Sequence, residues 1–486
     1  MRITRMACVG ACSLGMVGAL TAEARVVCKA GPGMPALRPE PRGCYAVVTS
    51  EACLASNGWR EAAQALCKKY AAEIITYPEG KPGEMLPRLR ATMPTYVCFL
   101  GWPEMCGRKF VVAAHRLMRQ LDDDPYGDAL WGIVTGYDAA DALRQARLDE
   151  PLVIRRGATS MGSGLLKRLD SGFASDENRV TDFWTKDAGK TSVMHTAVSP
   201  DAARSLAEAF NTRPVDVFYT SGHATERDWQ IAYNKPGGAF RHGDGTLFAQ
   251  STDGSRYPIW SPSTKVYLPA GNCLIGHIDG RDCMATAWLH SGGVGQMFGY
   301  TVVTFYGYMG WGTAMLFEDG RLSLSEAFFL NNQALLHQLA TRYPEALAAM
   351  PEAFDSRDAA GLARGVAKGD RDALGLLWDR DTVAFYGDPA WTAAYPCESP
   401  VFGYRLEEEG GLWTLHVTVF REGGVRDPKW GVRPFAVVLP ERVPAVREVT
   451  CDGLEAAVVT DRFALVPMPK DVRQGATVTV TFRGGQ

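Results

Sequence analysis

From Tyr45 to about Tyr300 the chain keeps switching between short apolar runs and stretches of helical spacing. Strands joined by helices pair in parallel, and a mainly parallel sheet must be covered on both faces. Tyr45–Thr49, Glu73–Tyr77, Tyr96–Leu100, Trp131–Thr135, Val215–Thr220, Lys265–Pro269 and Gly295–Tyr300 read as strands. Trp59–Tyr70, Leu86–Thr92, Phe110–Gln120, Ala139–Ala146, Ser199–Phe210, Met284–Ser291 and Ser323–Thr341 read as helices. Residues 25–44, rich in Pro and Gly, read as an irregular lead-in. Residues 156–190, rich in Gly, Ser and charge, read as a long surface excursion.

After about residue 400 the texture changes. Trp413–Phe420, Phe435–Leu439, Arg447–Thr450, Phe463–Val466 and Ala476–Phe482 are short alternating segments with no long helix between them. They predict a small antiparallel β-sandwich of immunoglobulin size. The expected fold class is therefore α/β, a mainly parallel sheet flanked by helices and followed by a C-terminal β-sandwich. The expected division is 1–24, 25–190, 191–398 and 399–486.

The first of these segments reads as a secretory signal. Met1–Arg5 carries two arginines, Met6–Ala22 is uncharged and largely apolar, and Ala22-Glu23-Ala24 is a small-x-small cleavage site. The mature chain would start near Arg25 and be secreted, periplasmic or held at the cell surface. No later stretch has about 20 uninterrupted apolar residues, so no transmembrane span is expected. A 46% hydrophobic, 22% charged composition belongs to a folded chain, and a net charge of -3 gives no bulk attraction to nucleic acid.

Of 12 cysteines, Cys8 and Cys12 leave with the signal. The remaining ten include no CxxC pair, which removes zinc-ribbon and thioredoxin-like readings and leaves any disulfide pairing open. No metal or organic cofactor is expected. The acidic run Leu121–Asp128, "LDDDPYGD", fails the EF-hand template because Ile133 falls where a bidentate Glu is needed. It reads as a Pro-containing turn with solvated carboxylates.

Two strand ends carry the chemistry. His223 follows "VDVFYT" and Cys273 follows "KVYLP". In an open parallel sheet, ligands bind outside the carboxyl ends of the strands, where residues distant in sequence converge. A thiolate is a good nucleophile, and an imidazole can take the thiol proton and later protonate a leaving amine. Gly222 and Gly271, beside these residues, let a substrate backbone approach closely. Glu226 is placed to orient the imidazole, to meet a basic substrate side chain, or to sit as a solvated turn carboxylate. Trp229 lines the cleft or belongs to the core. His277 is a rival base, second to His223.

The segments around these residues resemble the gingipain-type cysteine peptidases, relatives of the caspases and legumains. "DVFYTSGHATERDW" (Asp216–Trp229) is similar to the histidine segment of that family. "LPAGNCLIGHIDGRDCMATAWLHSGGVGQMFGYT" (Leu268–Thr301) is similar to its cysteine segment, and "FYGDPAW" (Phe385–Trp391) to the motif closing its catalytic domain. The resemblance covers about Tyr96–Trp391. It implies a caspase-like fold followed by an immunoglobulin-like domain, with Cys273 as nucleophile and His223 as general acid/base. It also implies an oxyanion hole from the backbone N–H groups of Ala224 and Cys273. Two positions depart from the family pattern. Ala224 replaces the usual Gly after the histidine, and Asn272 replaces the usual Ala before the cysteine, where it is expected to face the substrate.

The expected function is a secreted cysteine endopeptidase acting on protein or peptide through a thioester acyl-enzyme. The alternative, motivated by Ala224 and Asn272, is a catalytically inactive homologue that binds peptide or a surface partner. A third reading makes the C-terminal sandwich an adhesin.

Overall fold

The computed structural model describes residues 25–31, 43–196, 200–320, 322–349, 370–396, 399–427, 429–452 and 456–485. The expected signal segment lies outside them. The apolar runs of the first four hundred residues assemble into one twelve-stranded sheet. Its order from edge to edge is Val193–Thr196, Arg179–Lys186, Ser171–Asp176, Arg156–Thr159, Val217–Thr220, Lys265–Pro269, Val294–Tyr300, Val383–Tyr386, Leu130–Val134, Tyr96–Leu100, Tyr45–Ser50 and Glu73–Tyr77. Neighbours are parallel except the two outermost pairs at the first edge and Val294–Tyr300 against Val383–Tyr386. Period-two alternation sends successive residues to opposite faces. Val47 and Cys98 pack with Trp59, Leu66 and Ala142 on one face. Val48 and Phe99 pack with Val111 and Leu117 on the other. The protein is mixed α/β, with this large mixed sheet and several antiparallel ones.

Residues 156–190 are not a surface excursion. They supply Arg156–Thr159, Ser171–Asp176 and Arg179–Lys186 to the sheet. The glycines that suggested a loop are there because backbones meet. A Cβ on Gly172 would run into the backbone of Gly157, and one on Gly157 into Leu169. Because Arg156–Thr159 pairs directly with Val217–Thr220, the expected boundary at 190/191 falls within one continuous sheet rather than between two bodies.

The lead-in reading of 25–44 is corrected as well, while residues 32–42 lie outside the described set. Arg25–Ala30 is a strand, paired antiparallel with Phe402–Glu409. It is the edge of a five-stranded sheet with Leu412–Val419, Thr477–Arg483 and Arg447–Cys451. That sheet shares a core with a three-stranded sheet of Phe435–Val438, Phe463–Val466 and Val458–Val459 through Leu415, Val417, Val437, Ala464 and Val480. The smaller sheet is covered on its other face too. Ala436, Val438, Phe463 and Leu465 pack on Phe329, Leu330 and Ala334 of the Leu324–Arg342 helix. Two buried faces explain why "FAVV" and "FALV" are apolar throughout instead of alternating.

Leu121–Asp128 does form a turn, but its carboxylates are not all solvated. Asp128 is buried and accepts from the N–H groups of Leu121 and Asp122. Burial, reinforced by Asp122 and Asp124, pushes its carboxyl well above the usual range. All nine described cysteines are free thiols, and Cys397 is outside the described residues. Among the described residues no helix is long and apolar enough to cross a membrane.

Candidate active site

The Val217–Thr220 and Lys265–Pro269 strands are adjacent, parallel and in register, Thr220 opposite Pro269. Ala270 N donates to Thr220 O at 3.1 Å, so the pairing persists as both chains leave the sheet. His223 lies three residues beyond Thr220 and Cys273 four beyond Pro269. The strand-end rule thus places both side chains at one edge, from positions fifty residues apart in sequence.

Asn272 ties the two loops together. Its Oδ1 accepts from Thr220 Oγ1 at 2.7 Å and its Nδ2 donates to Gly222 O at 3.0 Å. Thr220 Oγ1 also meets Tyr267 OH at 3.0 Å. Asn272 is fully buried, which corrects the expectation that it faces substrate. The amide spends its donor and acceptor holding the histidine loop against the cysteine loop. Of the two readings of Trp229 the structure supports the core one: it is buried, and its Nε1 donates to Ser221 O at 2.9 Å.

The histidine loop is a tight turn. Gly222 has φ +92°, a conformation open to glycine. Gln230 N donates to His223 O at 2.9 Å, Ala224 bridges Trp229, and Thr225 N donates to Asp228 O at 2.8 Å. Ala224 is buried and outside the left-handed region, so its methyl group brings no backbone strain. Glu226 is half-buried, and its carbonyl accepts from Met284 N at 2.9 Å, joining the turn to the helix after Cys283. His223 is exposed and its imidazole stacks on Tyr233, centroids 4.7 Å apart and planes 8° apart.

The cysteine loop is fixed by the next strand. Leu274 N donates to Val302 O at 2.9 Å and Gly276 N to Tyr300 O at 3.0 Å, with Leu274 at φ +55°. A Cβ on Gly276 would enter the backbone of Gly299, so the glycine three residues after Cys273 is a packing requirement. Cys273 Sγ is half-buried and accepts from Thr304 N at 3.3 Å. No hydrogen bond joins Cys273 Sγ to the His223 ring directly.

Three contributors escaped the sequence reading. Thr304 lies just past the carboxyl end of Val294–Tyr300, and the rule that selected His223 and Cys273 also points to that loop. Tyr233, 45% exposed, follows the histidine turn. Glu177 sits in the turn between two strands that had been read as surface. Its Oε2 accepts from Ser221 Oγ at 3.0 Å and its carbonyl from Tyr233 N at 2.8 Å, which brings a carboxylate beside Gly222.

The rival base His277, and His242 and Cys283 near it in sequence, are engaged elsewhere. His277 is buried in the turn after Cys273. His242 Nδ1 pairs with Asp282 at 3.0 Å. Cys283 is the N-cap of the Met284–His290 helix, and burial raises its thiol. Two clusters have the ligand types for a metal ion, Asp138/Asp141/His290 and Asp122/Asp128/Asp461. Neither includes His223 or Cys273. Asp138 and Asp141 form the capping box of the Ala139–Ala146 helix, and Asp128 fastens the acidic turn.

No protein-family model matches the chain, and no curated protein does. One solved structure, described as "Structure of Protease", is similar over 93% of this chain and 96% of its own, at 10% identity and a TM-score of 0.37. The likeness is a distant one.

Proposed function

We propose that the protein is a cysteine endopeptidase of the gingipain type, with a caspase-like core, a C-terminal immunoglobulin-like domain and export directed by residues 1–24. The observation that carries this reading is the pairing of His223 and Cys273 at the carboxyl ends of neighbouring, in-register parallel strands, with Asn272 locking the loops. Cys273 Sγ attacks the scissile carbonyl carbon, and its proton passes to solvent or to His223. The carbonyl oxygen becomes an oxyanion facing the N–H groups of Ala224 and Cys273. Collapse of the intermediate breaks the C–N bond, His223 gives a proton to the departing amine, and a thioester remains. Water, deprotonated by His223, cleaves the thioester and restores the thiol. No step requires a cofactor.

Glu177 gives the site a carboxylate beside Gly222, and the half-exposed Tyr233, Met161 and Val303 give it apolar surface. This combination suits a basic substrate side chain with an aliphatic stem. The test is cleavage of a peptide library by the mature protein beside Cys273→Ala and His223→Ala. Wild type should cut, with basic residues enriched at the cleaved bond, and each variant should lose about 10³-fold or more in kcat. Cleavage retained by Cys273→Ala overturns the assignment. The rival reading, an inactive peptide-binding homologue, draws on the Tyr233 ring stacked over the imidazole face. It predicts an inert wild type even after reduction and limited proteolysis.

A further inference from the structure

The loop from Thr301 to Gly307 joins the Val294–Tyr300 strand to the Tyr308–Glu318 helix. It holds the N–H that meets the nucleophile, Thr304 N to Cys273 Sγ. Within the α/β unit the loop is anchored near its start. Thr301 N donates to Thr382 O at 2.8 Å, and Trp378 Nε1 donates to Val303 O at 2.9 Å. Its far half is held from both units: Tyr306 packs directly against Gly375 and Arg371 lies over the Phe305 ring, while the C-terminal unit reaches the same loop through Lys429 and Trp430. Lys429 Nζ donates to Tyr306 O at 2.8 Å and lies 4.0 Å from the Tyr306 ring centroid. Trp430 Nε1 donates to Tyr306 OH at 2.8 Å, and its ring packs edgewise on Tyr306 and Tyr308 at 5.0 and 5.1 Å.

The hairpin that presents these two residues is stiff. Asp427 Oδ1 accepts from Lys429 N at 2.9 Å and Trp430 N at 3.1 Å. Asp427 Oδ2 accepts from Arg433 Nε at 3.1 Å and Nη2 at 2.7 Å, in a pair buried on both sides. Arg433 Nη1 reaches Asn331 Oδ1 at 3.2 Å, and its guanidinium lies 3.9 Å from the Tyr308 ring centroid.

We propose that Lys429 and Trp430 are positioning residues for the nucleophile, holding the 301–307 loop so that Thr304 N–H stays aimed at Cys273 Sγ. This rests on the peptidase reading for its catalytic consequence. Adhesion between the units does not need the contact, since the apolar interface of Ala436, Val438, Phe463 and Leu465 with the Leu324–Arg342 helix already joins them. The hairpin contact is separate and largely polar, and it falls on the loop that touches Cys273. A donor held on the sulfur fixes where the sulfur sits for attack, and the catalytic consequence is one of position.

The experiment uses the full mature chain, with Lys429→Ala, Trp430→Ala and the double variant. Alkylation of Cys273 by iodoacetamide is followed peptide by peptide in mass spectrometry at pH 7 and pH 9, alongside kcat, KM and Tm. The double variant should alkylate about tenfold more slowly, with kcat reduced and KM within about twofold. Tyr306→Phe, which removes only the hydroxyl that Trp430 meets, should give a smaller loss of the same kind; it carries the test if the double variant does not fold. Lys429→Arg should restore most of the rate. Unchanged alkylation and kcat with only a lowered Tm overturn the proposal. A wild type that cuts no peptide overturns the peptidase reading instead, and the alkylation comparison still decides the clamp.

Discussion

Asn272 shows how a single side chain can be read correctly as unusual and wrongly as to its use. Its place before the cysteine suggested substrate contact, whereas its amide bridges Thr220 Oγ1 and Gly222 O inside the protein. Replacing it with the alanine usual in the resembled family is therefore expected to harm this chain. Asn272→Ala leaves Gly222 O without this donor and removes an acceptor of the Thr220 hydroxyl. It should cost about 1–3 kcal/mol of stability and lower kcat more than it changes KM, measured by denaturant titration and steady-state kinetics. Ala224 is the opposite case. Nothing in its backbone conformation calls for glycine, so this departure needs no compensation. The placement of His223 and Cys273 just past adjacent strand ends was legible because local pattern locates strand ends. The neighbourhood of Glu177, Tyr233 and Thr304 was not, because it depends on how separate loops fold back over one edge.

At the scale of elements, the reliable signals were runs with one clear period. The Tyr45–Ser50, Tyr96–Leu100 and Lys265–Pro269 strands and the Ser323-capped Leu324–Arg342 helix lie where the sequence puts them, within a residue or two. The failures have separate causes. Gly157 and Gly172 read as loop residues, and their absent side chains in fact let neighbouring backbones and Leu169 pack closely. The four-stranded antiparallel sheet of Asp228–Gln230, Ala239–Gly243, Thr246–Gln250 and Arg256–Ile259 went unread because its strands are short and weakly alternating. The Gly276–Gly299 approach sets the cysteine loop against the Val294–Tyr300 strand. Gly276→Ala must push the two apart, with an expected loss of about 1–3 kcal/mol and a fall in Cys273 alkylation rate. A variant with wild-type Tm and reactivity would remove that packing argument.

At the scale of the whole molecule, charge burial makes stability depend on pH. His115 is buried beside the Arg119, Arg380 and Asp381 cluster, and its Nε2–H donates to Val383 O at 2.8 Å. Burial is the main cause that lowers its pKa to about 4, with Asp381 opposing. A folded value below the unfolded one near 6.5 means that its contribution is complete above pH 6.5 and is lost as pH falls through about 4. Stability should drop by about 3 kcal/mol across that window from this residue. His115→Gln should flatten the dependence, as read by chemical denaturation at pH 7, 5.5 and 4. An unchanged slope in the variant would assign the acid sensitivity to other groups.

The sequence by itself determined the strands and helices with one clear period, the strand ends that a histidine and a cysteine follow, and the turn to short β-segments after residue 400. These are local properties, since period and turn chemistry act over a few residues. Tertiary structure alone decided which elements cover each face. It sent Arg25–Ala30 to the C-terminal sheet, buried Asn272 and Trp229, brought Glu177 to Ser221 and Thr304 to Cys273, and set Lys429 and Trp430 against the 301–307 loop. An apolar face records that it must be buried, but its partner is chosen by the shape and packing of the whole chain.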